Sequence, residues 1–136
     1  MRPLALRATL AGYLVLATMV TGCGSGSGKP AVCNDLDNLQ TSVQALKNVS
    51  IGQGALATVK SDLTTIQRDL QTLEADAKQQ YASEISALSS SLTSLQTSVS
   101  AAQAAPSVTS LAAVATAVGA TATSAKALAS AVSSTC

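Results

Sequence analysis

From Val32 to Val132 the apolar side chains recur at steps of three and four residues, and no stretch alternates at a period of two. One series runs Val32, Leu36, Leu39, Val43, Leu46. A second starts at Leu56, Val59, Leu63 and Ile66, and continues through Leu73, Ala77, Tyr81 and Ile85 to Val99 and Ala102. A third runs Leu111, Val114, Val118, Thr121, Ala125, Leu128, Val132. Heptad spacing sustained over this length belongs to helices that pack along a seam. The spacing predicts an all-α body.

Few residues interrupt it. Gly52 and Gly54 separate the first series from the second, and Pro106 closes the second, because proline drives the residue before it out of the helical region. Between Ala55 and Ala104 there is no Gly, Pro or Asn. Asn34 is the expected N-cap of the first helix, with Asp35 and Asp37 complementing the dipole of its first turn.

The N-terminus has a different grammar. Arg2 and Arg7 precede an apolar run from Ala8 to Val20, and small residues then lead into a Gly/Ser stretch from Gly24 to Gly28. The run is shorter than the ~20 apolar residues that span a bilayer. Charge, apolar core and small residues follow in the order of a secretory signal. Val20-Thr21-Gly22-Cys23 resembles the lipobox of bacterial lipoproteins, an aliphatic residue and two small ones before an obligatory Cys. The resemblance covers residues 1–23. It implies cleavage between Gly22 and Cys23 and a diacylglyceryl thioether on Cys23. Each buried CH₂ contributes ~0.8 kcal/mol, so two or three acyl chains hold a protein durably at a membrane. Residues 1–22 then form the signal peptide, 23–31 a flexible tether and 32–136 the helical domain.

With Cys23 given to lipid, Cys33 and Cys136 remain. An even pair outside the cytoplasm reads as a disulfide, here closing nearly the whole body. Two Cys without His cannot complete a structural zinc site.

The middle series admits two readings. As one helix over about residues 55–104 it would run ~75 Å, with the outer helices of ~26 and ~42 Å lying antiparallel on it and bringing Cys33 to Cys136. With Leu56, Leu63 and Leu70 at a positions, both flanks of the seam are polar: Asp62, Asp69 and Asp76 on one side, Lys60, Gln67 and Glu74 on the other. A stripe so narrow suits a two-stranded seam, so the expectation is a three-helix antiparallel hairpin. The alternative is a four-helix up-down bundle, broken near Asp76-Ala77-Lys78-Gln79, where Asp76 and Gln79 form a capping box.

Composition narrows the function. His, Trp and Phe are absent and only two Tyr are present, which removes imidazole acid–base chemistry, the commonest metal ligand and stacking platforms. A net charge of +1 without a basic run argues against nucleic acid. Asp62, Asp69 and Asp76 repeat ~10 Å apart along the axis, too far to share one ion. Asp35-Leu36-Asp37-Asn38-Leu39 lacks the fifth-position acceptor and sixth-position Gly of a calcium loop. No catalytic motif accompanies the many Ser and Thr. The expectation is no enzyme, no metal and no cofactor.

The last helix is the anomaly. Between Ser107 and Thr135 its only charge is Lys126. Val114, Val118, Gly119, Ala122 and Lys126 are the candidate interaction face, toward an envelope protein, wall polymer or second copy. Close helix approach through Gly119, Ala115, Ala122 and Ala129 is the structural alternative. The sequence reading is thus a lipid-anchored, non-enzymatic spacer or interaction module on the extracytoplasmic side of the cell membrane. A carrier for a small hydrophobic ligand is the second reading.

Overall fold

The computed structural model describes residues 29–77 and 79–136. The signal and lipidation positions, Gly22 and Cys23 among them, lie outside the described residues. The body is all-helical and holds four long helices: α1 (Ala31–Asn48), α2 (Leu56–Ala77), α3 (Ala82–Ala104) and α4 (Val108–Ser133), with one 3₁₀ turn, Gln53–Ala55, before α2.

α1 starts four residues earlier than the Asn34 cap predicted, at Ala31 instead of Asp35. Pro30 occupies the N-cap with φ −54° and ψ 147°, and its carbonyl accepts from the Cys33 amide at 3.0 Å. Proline's preset φ and missing N–H suit it to a helix entrance. The earlier start places Val32 and Cys33, both buried, on the core stripe, and moves Asp35 and Asp37 beyond the first turn.

The predicted continuous middle helix is not formed, and the three-helix hairpin with it. The chain turns between Ala77 and Ala82, where Gln79 adopts a left-handed φ of 69°. Its carbonyl accepts from the Ala82 amide at 3.3 Å, and the Ala77 carbonyl accepts from Gln80 at 3.1 Å. The reason lies in the heptad phase. Leu73, Ala77, Tyr81 and Ile85 are separated by three successive steps of four, each advancing the stripe ~40° around a helix, so that an unbroken helix would carry Ile85 ~120° from the seam. Breaking the helix returns all four to the core. The Asp76–Gln79 capping box does not form; Tyr81 is the N-cap of α3, without a side-chain cap bond.

The other boundaries fall where glycine and proline put them. α3 ends before Pro106, and Ser107 caps α4 in a reciprocal box with Ser110, each hydroxyl accepting from the other's backbone N–H at 2.9–3.0 Å.

Each helix packs on two neighbours: α1 on α2 and α4, α3 on α2 and α4. This is the cyclic arrangement of a four-helix up-down bundle. One continuous apolar cluster fills it, with Leu46, Ile66, Leu73, Leu88, Leu95 and Leu128 fully buried. One end carries the Cys33–Cys136 pair and the α2–α3 turn, and is called the cystine end below. The opposite, loop end carries the α1–α2 and α3–α4 connections.

Candidate functional site

Chemistry concentrates at the cystine end. Cys33 and Cys136 are joined by a disulfide, their Cα atoms 5.8 Å apart across a sequence separation of 103. Beside it the Tyr81 hydroxyl hydrogen-bonds the Thr135 hydroxyl, tying the start of α3 to the end of the chain. Tyr81 is buried to its ring because it continues the apolar stripe, and its hydroxyl finds a partner there.

Three aspartates meet between α1 and α2. Asp69 accepts from the Ser42 hydroxyl of α1 at 2.5 Å. Asp35 faces both Asp69 and Asp76, and its Oδ2, shut off from solvent, has no donor to accept from while the Asp35 and Asp76 carboxyls are both charged. Its carboxyl is pushed up to about 6, first by loss of water around the charged form, then by a hydrogen bond with Asp76 and the negative charges of Asp76 and Asp69. Among the described residues no cation is paired with the group: Lys126 is the only charge of α4, and Lys29 pairs at 3.9 Å with Asp37 on the outer face of α1. Heptad spacing along α2 alone hides this meeting, because the third carboxylate comes from another helix. The recess beside the group, lined by Asp35, Asn38, Asp69 and Thr72, encloses about 70 Å³. That volume takes water, whose share of the liquid is ~30 Å³, and not an organic substrate. Among the described residues no group of three or more Cys, Asp or Glu is placed to hold a metal ion.

The predicted interaction face divides. Val114 and Val118 turn inward, buried in the core, and so leave the exposed face. Ala122 is partly buried against that core. Gly119 and Lys126 lie outside, with Thr116, Ala120, Thr123, Ala127 and Ser130. Gly119 does not serve close helix approach, for a Cβ built there meets nothing within 4 Å. α4 is long and apolar enough to cross a membrane by length and composition, with a mean hydropathy of 1.3 over 18 residues, although alanine makes up ten of its sixteen apolar residues. The outer surface of α3 and α4 is therefore Ser, Thr and Ala, and from Ala82 to Ser133 only Glu84 and Lys126 are charged. α1 and α2 together carry Asp35, Asp37, Lys47, Lys60, Asp62, Arg68, Asp69, Glu74 and Asp76. The bundle has a charged half and an uncharged half.

Recesses line the boundary between α2 and α3. One of about 300 Å³ lies among Gln67, Leu70, Gln71, Glu74, Ser89, Leu92 and Thr93; a smaller one of about 110 Å³ continues it toward Lys60 and Ser100 and shares Gln67. Both are open to solvent, with leucine floors and rims of amides and hydroxyls. No family model matches the chain, and no curated protein or solved structure was found to resemble it. Its function is read from these surfaces.

Proposed function

We propose that this chain is a lipid-anchored, non-enzymatic interaction module, held to the extracytoplasmic side of the cell membrane through Cys23 and presenting the α3–α4 face to an envelope partner or a second copy of itself. The observation that carries the reading is the nearly charge-free outer surface of α3 and α4, where Glu84 and Lys126 are the only charges. The cores of protein interfaces are depleted in charge, whereas a solvated helix face normally carries it. The charges are instead concentrated on α1 and α2, with only Glu84 and Lys126 on the other half. The length argument for a spacer falls with the long helix, since α4, the longest at 26 residues, spans only ~39 Å.

A carrier of a small hydrophobic ligand is the second reading, favoured by the recesses between α2 and α3. Their leucine floors are already buried, which limits what they offer a closed-state ligand.

Photo-crosslinking in intact cells tests the proposal. A photoreactive residue is placed at Thr116 or Thr123 on α4, and at Gln44 or Ala75 on the charged half as controls. Discrete adducts from the α4 positions, absent from the controls, are expected. Equal labelling from both halves, or none from α4, rejects the interaction face.

A further inference from the structure

The covalent and polar ties of the bundle are unevenly placed. α1 and α2 form one hairpin, α3 and α4 another, and each hairpin closes its own loop at the loop end. The two hairpins are joined covalently twice, by the turn between Ala77 and Ala82 and by the Cys33–Cys136 disulfide, and both links lie at the cystine end. Side-chain hydrogen bonds follow the same division. Ser42 to Asp69 is internal to the first hairpin, and Ser91 to Ser124, at 2.8 Å, to the second. Tyr81 to Thr135 crosses between hairpins, again at the cystine end. Above the first turn of α1, no side-chain hydrogen bond or ion pair crosses between the hairpins among the described residues.

Packing along the boundary is also the less complete. The two recesses between α2 and α3 lie on it, and a third, of about 280 Å³, separates Gln53 of one loop from Pro106, Val108 and Leu111 of the other. Val108 stands 88% exposed at that opening. Toward its middle α4 gives the core Val118, Thr121 and Ala125, smaller side chains than the leucines that recur in the other helices. The interfaces across the boundary, α1 on α4 and α2 on α3, are each less extensive than those within the hairpins, and less buried apolar area, at roughly 25 cal/mol per Å², makes a seam easier to part.

We infer that the bundle works as a hinged clamp, in which the α1–α2 and α3–α4 hairpins part at the loop end while the cystine end stays shut. The motion leaves every helix intact, because backbone hydrogen bonds lie within the helices, and it bares the apolar stripe between the hairpins. The disulfide is the second pin of the hinge: with the turn alone, the α1–α4 side is free to open from its base as well. The inference is independent of the anchor and of the interaction face, since it concerns motion within the body.

Distances between nitroxide labels test it in the full chain with its disulfide intact, the labels being attached through ketone-bearing residues so that no cysteine is touched. Labels at positions 53 and 109 report the loop end; labels at 37 and 130 report the cystine end. All four sites are exposed. The clamp predicts a second, longer population at the loop end, displaced by ~10 Å, about one helix diameter, and holding at least a few per cent of the molecules. At the cystine end it predicts a single narrow distribution, which broadens on reduction. A single narrow distribution at both ends overturns the clamp. So does broadening at both ends before reduction, which is general loosening without a hinge.

Discussion

Cys33 and Cys136 approach to 5.8 Å between Cα atoms although 103 positions separate them, so the first turn of α1 and the end of α4 are fixed side by side. Cys33 is itself 2% exposed and continues the apolar stripe of α1, whereas Cys136 is exposed, so the bond ties the chain's last residue to the core. In the chain-entropy model a closed loop of this size contributes up to ~4.7 kcal/mol by restricting the unfolded chain. Replacing both cysteines, Cys33→Ala with Cys136→Ala, is expected to lower unfolding stability by ~2–5 kcal/mol. Urea titrations of wild type and variant check the figure, and wild type under reductant should match the variant.

Gln79 holds a left-handed backbone that costs a non-glycine residue ~1 kcal/mol. Asparagine tolerates that region and a β-branched residue does not. Gln79→Asn should raise the midpoint of thermal unfolding and Gln79→Val should lower it, each by ~4–8 °C per kcal/mol for a domain of this size. Equal melting of the two variants would remove the turn from the account.

Gly119 sits mid-helix on the outer face with open space where a Cβ would stand. Gly119→Ala is expected to stabilise the isolated protein by ~0.4–1 kcal/mol, since it removes unfolded-state freedom without a clash. Chemical denaturation of the purified protein measures this. A loss of stability would mean that the face is covered within the molecule.

Asp35 supplies a pH dependence whose sign can be worked out. Its folded value of about 6 lies above the unfolded 3.8, so folding takes up a proton between the two, and stability falls as pH rises through 6. Above that range the charged carboxylate faces the negative charges of Asp69 and Asp76; below it the neutral acid can share a hydrogen with Asp76. Urea midpoints should therefore be higher at pH 5 than at pH 7.5. Asp35→Asn should be more stable than wild type at pH 7.5 and should flatten this step.

Much of the fold was legible from the sequence because apolar periodicity is a local signal that tertiary contacts reinforce. The core stripe from Val32 to Val132 is read that way, the breaks at Gly52 and Pro106 from the residues that interrupt helices, and the pairing of Cys33 with Cys136 from the two cysteines left beside Cys23. The turn at Gln79 belongs to the alternative reading, the four-helix bundle broken near Asp76–Gln79, and not to the favoured one, because no glycine, proline or asparagine marks it. The evidence for it was the phase drift from Leu73 to Ile85, which a long helix was expected to absorb by a change in supercoil and which the structure relieves by a break. Asp35 was missed for another reason. Its partners, Asp69 and Asp76, belong to a different helix, and register between helices is not written in either one. Val114 and Val118 were placed on an exposed face although they continue the apolar series, because the lack of charge in α4 was read as a property of all its sides. The exposed side is made of the residues between them, Thr116, Ala120 and Thr123.

The proposed role stands on attachment to a membrane through Cys23, and mass spectrometry of the N-terminal peptide from protein purified out of native membranes tests it most directly. The account predicts a chain beginning at Cys23 and carrying a diacylglyceryl thioether, with or without a further acyl group on its amine, and predicts that Cys23→Ser abolishes both the lipid mass and membrane retention. A mature chain recovered from the native source with Cys23 unmodified, or cut elsewhere, would contradict it.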